Sequence, residues 1–116
     1  MKNILLCSQD PMLVKGLYGP LRDAGYTVET SEHPADAIKC VLNTPYLSVI
    51  LDSRDIGIPA ADAAAIIKTI RPETYIVVVG KNVSGGDLHM MIQPDAIDKL
   101  RELMNDISTL RRTTYL

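Results

Sequence analysis

Two periods alternate along the chain. "NILLC" (3–7) is a continuous apolar run of strand length, and the segment after it places Leu13, Val14, Leu17, Leu21 and Ala24 at helical spacing. Asp10 before Pro11 reads as a helix N-cap with proline in the first turn, and Gly25 reads as the stop. Pro20 inside this helix predicts a kink or a re-formed last turn, because proline removes one backbone donor. "YTVET" (26–30) alternates as an edge strand does, and "HPADAIKCVLN" predicts a second helix with Ala37, Ile38, Val41 and Leu42 facing inward. "LSVILD" (47–52) is the third strand and "PAADAAAIIKTIRP" the third helix, stopped at Pro72. "YIVVVG" (75–80) is the most β-branched run and predicts a central strand buried on both faces. "LHMMI" (88–92) reads as a weaker strand. Residues 94–110 carry Ile97, Leu100, Leu103, Met104, Ile107 and Leu110 on one helical stripe.

Strands alternating with helices predict an α/β protein with a parallel sheet covered on both faces. Five strands in this sequence fit a flavodoxin-like doubly wound sheet of order 2-1-3-4-5, in which reactive groups gather beyond the carboxyl ends of the strands. That rule collects Ser8, Gln9 and Asp10 after strand one, Asp52 after strand three, Gly80 and Lys81 after strand four, and Gln93 after strand five. Only "KNVSGGD" (81–87) separates strands four and five, so the helix that would connect them is expected to be shortened or missing. The last helix would then lack a neighbour, and the face around 81–104 is an expected partner surface, including for a second copy of the chain.

Composition narrows the class. At 116 residues, 47% hydrophobic and with a net charge of −2, the chain reads as one folded domain over 1–116, with 107–116 as a tail or linker. The charge balance argues against nucleic acid. No apolar run reaches the length of a membrane span, and "MKNILLCSQD" turns polar too early for a signal peptide, so a cytoplasmic setting is expected. Cys7 and Cys40 sit in apolar patterns without CxxC spacing and read as reduced, buried thiols. His33 and His89 show no metal-ligand spacing, "NVS" at Asn82 reads as a chance sequon, and Met90, Met91 and Met104 read as core.

From "NILLCSQDP" through "VILDSRDIGIP" and "IVVVGK" to "IQPDAIDKL", the chain resembles the receiver domain of two-component response regulators. In that family an acidic pair after strand one binds Mg2+ beside an aspartate that ends strand three and accepts a phosphoryl group. A Ser or Thr ending strand four and a Lys before a Pro after strand five read the phosphate. Position by position, the resemblance puts the acceptor at Asp52. The acidic pair falls on Ser8 and Gln9, with Asp10 one place late; the hydroxyl position falls on Gly80 and the lysine position on Gln93, ahead of the retained Pro94.

These departures imply a degenerate receiver, or pseudo-receiver. Asp52 without a second carboxylate in register is a poor Mg2+ site, and an acyl phosphate there would lack both the metal and the lysine that balance its charge. The expectation is a signalling domain acting through protein–protein contacts, with an effector or a histidine kinase as partner, no cofactor, and no enzyme activity beyond at most self-phosphotransfer onto Asp52. Two alternatives stand beside it. One is a phospho-accepting receiver modified at Asp52 with Mg2+. The other is a flavodoxin-like domain binding a small molecule in a crevice at Ser8, Asp52 and Gly80. For Asp52 as a residue, the plainest reading is merely the first polar residue at a wet strand end. Arg54 and Lys81 are the cations within reach of Asp52 and the candidates for a standing ion pair with it.

Overall fold

The computed structural model describes residues 2–52, 54 and 57–80, and the backbone of 88–91. It runs β1 (Asn3–Cys7), α1 (Pro11–Asp23), β2 (Thr27–Ser31), α2 (Pro34–Asn43), β3 (Ser48–Asp52), α3 (Ala60–Ile70), β4 (Tyr75–Gly80) and β5 (Leu88–Met91). All neighbouring strands pair in parallel, in the order β2-β1-β3-β4-β5. This is the predicted doubly wound sheet. The connection 81–87, the predicted helix 94–110 and most of the 81–104 face lie outside the described residues, although Val77↔Leu88 and Gly80↔Met91 show its two flanking strands in parallel register.

Because side chains alternate across a strand, the sheet divides its apolar residues between two cores. Ile4, Leu6, Ile50, Val77 and Val79 meet Leu17 and Leu21 of α1 on one face. Leu5, Cys7, Val49, Leu51, Ile76 and Val78 meet Ala37 and Val41 of α2 and Ala63, Ala64 and Ile67 of α3 on the other. The runs in β1, β3 and β4 are therefore unbroken by polar residues, since both of their faces are covered.

Asp10 caps α1 by accepting the Met12 N–H at 2.9 Å, with Pro11 in the first turn. The helix continues through Pro20 to Asp23, because buried Leu17 and Leu21 hold the turns on either side of the missing donor. It ends in a Schellman motif. Gly25, at φ 98°, donates to Arg22 O at 2.9 Å, and Tyr26 donates to Leu21 O at 3.2 Å. Tyr26 packs in the same core as Leu21, which fixes the exit into β2.

Two expectations need correction. Leu42 is 56% exposed rather than inward, because the stripe of α2 that meets the sheet is only wide enough for Ala37, Ile38 and Val41. Cys40 is half-buried, while Cys7 is fully buried, and neither forms a disulfide. Among the described residues no helix is long and apolar enough to cross a membrane.

Ile50 and Leu42 should separate sharply on substitution. Ile50→Ala removes a fully buried side chain from the middle of β3, and urea unfolding followed by circular dichroism should show a loss of about 2–5 kcal/mol. Leu42→Ser should stay within about 0.5 kcal/mol of the parent protein.

Candidate functional site

Strand parity decides which way the site faces. Ile4, Leu6 and Ser8 share one side of β1 and its extension, and Ile50 and Asp52 share the same side of β3. The register Cys7↔Leu51 then sets Ser8 beside Asp52, both on the α1 side of the sheet. Ser8 Oγ donates to Asp52 Oδ2 at 2.7 Å and accepts the Asp10 N–H at 3.0 Å, so a single hydroxyl joins β3 to the entry of α1. Ser8 is 4% exposed and Asp52 2%. The strand end is therefore dry, which rules out the reading of Asp52 as a polar residue tolerated by water.

Arg54 supplies the rest of the Asp52 environment. Its N–H and its Nε both donate to Oδ1, at 2.9 and 3.0 Å, and its Nη2 donates to Oδ2 at 2.9 Å. The fork of the guanidinium thus engages both carboxylate oxygens, the geometry that makes Arg–carboxylate pairs strong. With Ser8 included, each oxygen of Asp52 receives two donors. The same Nη2 also lies 2.9 Å from Asp10 Oδ2. Asp10 therefore divides its carboxylate, with Oδ1 capping α1 and Oδ2 holding Arg54.

Burial alone would raise the Asp52 pKa. The side-chain hydrogen bonds from Arg54, its backbone N–H, the Ser8 hydroxyl and the guanidinium charge together outweigh burial and hold the carboxyl below its ordinary value of 3.8. Hydrogen bonding to Asp52 correspondingly raises the Arg54 pKa, so the pair stays charged.

Of the residues singled out by sequence, Ser8, Asp10, Asp52 and Arg54 meet in one cluster. Gln9 does not join it; its Nε2 lies 2.8 Å from His33 Nδ1, across toward the loop that enters α2. Gly80 ends β4, one residue beyond the Val79 that pairs with Asp52. Lys81 and Gln93 lie outside the described residues. A groove of about 1080 Å³ is lined by Ser8, Gln9, Lys15, Tyr18, His33 and Asp36 among others, but by neither Asp52 nor Arg54. It is displaced from the crevice expected for a small-molecule site at Ser8, Asp52 and Gly80. Among the described residues no group of three or more His, Cys, Asp or Glu side chains could hold a metal ion. The part that sequence reasoning missed is the second use of Asp10. Its role as a cap was legible, but the direction of the Arg54 side chain was not.

The sheet order, helix placement and carboxylate-bearing strand end define a CheY-like, flavodoxin-type α/β domain. No family model matches the sequence, and no curated protein matches it. Solved structures match it closely in fold. A response regulator receiver domain from Clostridium thermocellum is similar over 98% of this chain and 99% of its own, with TM-score 0.85 at 14% identity. The response regulator TrrA of Thermotoga maritima, in complex with Mg2+-BeF, matches 92% of this chain and 99% of its own, with TM-score 0.82 at 24% identity. TrrA in complex with the histidine kinase ThkA matches 92% of this chain and 98% of its own, with TM-score 0.80 at 24% identity. At these identities the likeness establishes the fold and not the chemistry, which rests on the residues themselves.

Because folded Asp52 binds its proton less tightly than the unfolded chain does, its ionised form contributes stability that is complete above pH 3.8 and is lost as pH falls through the lower folded value. Arg54→Ala should cost about 1–3 kcal/mol at neutral pH, less than for a fully buried pair because the Arg54 side chain is 43% exposed. Urea midpoints taken from pH 7 downward should show this difference shrinking below about pH 4. A carbon-13 titration of the Asp52 carboxyl should move to higher pH in Arg54→Ala.

Proposed function

We propose that this chain is a receiver-like signalling domain that works by binding protein partners, with Asp52 serving as a structural carboxylate and not as a metal-dependent phosphoryl acceptor. The observation that carries this reading is the saturation of Asp52. In-line attack on a phosphoryl group needs a free lone pair on a carboxylate oxygen and an open approach to it. Here both oxygens are engaged by Ser8 and Arg54, and the residue is 2% exposed. A lowered pKa also marks a weaker base and a poorer nucleophile.

The electrostatics point the same way. Among the described residues, the two carboxylates of Asp10 and Asp52 against one guanidinium leave a net negative site, which repels an incoming phosphoryl donor. Gly80, at the position of the hydroxyl that reports phosphate in the family the sequence resembles, has no side chain to move. The likeness to receiver domains, one of them solved with a histidine kinase, supports a kinase or an effector domain as the partner class. A cytoplasmic setting accords with such a partner.

Incubation with Mg2+ and acetyl phosphate, followed by intact-mass measurement, should leave the protein without a phosphate adduct. An adduct that Asp52→Asn abolishes would sink this reading and restore Asp52 as a working acceptor.

A further inference from the structure

The family that the sequence resembles binds Mg2+ beside the position of Asp52, and TrrA, which shares the fold, is solved with Mg2+-BeF. The residues of this chain do not fit such an ion as they stand. We infer that Arg54 is a counter-cation carried by the chain itself, seated between Asp10 and Asp52, and that it closes this place to divalent metals. The inference rests on the reading of Asp52 above and adds to it the agent and the selectivity of the site.

The geometry is specific. One nitrogen, Arg54 Nη2, lies 2.9 Å from Asp10 Oδ2 and 2.9 Å from Asp52 Oδ2. Two oxygens that share a neighbour at that distance are at most about 5.8 Å apart. Divalent ions hold carboxylate oxygens at about 2.0–2.6 Å, so a shift of about 0.3–0.9 Å by each oxygen would close them on a metal. The nitrogen therefore stands where such an ion would have to stand.

What remains around it is also committed. Asp10 Oδ1 caps α1 through the Met12 N–H, and Asp52 Oδ1 accepts two donors from Arg54. An entering ion must displace the guanidinium or sit against its positive charge. Displacement is sterically open, since the Arg54 side chain is 43% exposed, so the competition is energetic. Arg54 follows Asp52 by only two residues, and its backbone N–H is already bonded to that carboxylate. The tether gives the guanidinium a high effective concentration at the site, whereas a free ion is present at its bulk concentration and must also shed water.

Mn2+ is the probe, read by paramagnetic broadening of amide signals in the full chain, comparing the parent protein with Arg54→Ala. The expected result is selective broadening at Ser8, Asp10 and Asp52 in Arg54→Ala, at Mn2+ concentrations at least tenfold below those needed in the parent. Arg54→Gln keeps a polar side chain and replaces Arg54→Ala if the latter loses its dispersed amide spectrum. A difference smaller than tenfold, whether because both proteins bind or because neither does, overturns the inference. The readout is metal occupancy and not phosphorylation. A parent protein that binds Mn2+ as tightly as Arg54→Ala does, yet takes no phosphate, defeats this inference alone, and one that takes phosphate through Asp52 defeats the proposed function.

Discussion

The carboxyl end of the sheet depends on keeping one charge out of water. Asp52 has a side chain that is 1% exposed, and an ionised carboxylate in that position is costly unless its oxygens are fully hydrogen-bonded and its charge is opposed. The donors that meet this requirement come from separate segments. Ser8 reaches across from the end of β1, and Arg54 folds back from just beyond β3. Asp10, at the start of α1, is drawn in through the same guanidinium. The ion pair therefore fastens the exit of β3 to the entry of α1, while Ser8 fastens it to β1. Loss of Arg54 would disturb three elements through a single buried group.

The fold was legible because its signals are one-dimensional. Unbroken apolar runs in "NILLC", "SVILD" and "YIVVV" mean strands covered on both faces, and Leu13, Val14, Leu17 and Leu21 mean a helix lying on one of them. The cap at Asp10 and the stop at Gly25 are local chemistry, so they too can be read in order along the chain. Even the convergence of Ser8 and Asp52 follows from counting by twos along β1 and β3, once the two strands are known to be neighbours. Leu42 could not be placed this way. Adjacent positions on a helix differ by 100°, so a one-residue choice at the margin of a stripe depends on how closely α2 approaches the sheet.

The site was half legible for a different reason. Arg54 and Lys81 were equal candidates in the sequence, since charge and position alone give no direction to a long side chain. What distinguishes Arg54 is that its own N–H already bonds to Asp52, which starts the chain on a tight return and brings the guanidinium over the carboxylate. Asp10 was harder still. A capping carboxylate looks fully employed, but a cap needs one oxygen and leaves the other available.

Arginine can do here what lysine could not. A single ammonium nitrogen can lie against both carboxylates, but only as a point charge, without matching the plane of either. The guanidinium presents Nε and Nη2 to the two oxygens of Asp52 in one plane and still aims Nη2 at Asp10. This has a consequence for signalling on the proposed reading. A switch needs a ligand that binds one conformation more tightly than another, and its response follows the concentration of that ligand. A tethered cation has no bulk concentration to vary. On that reading the charge balance at Asp52 is set within the chain, and a change of state would draw on the affinity of a partner bound elsewhere on the surface.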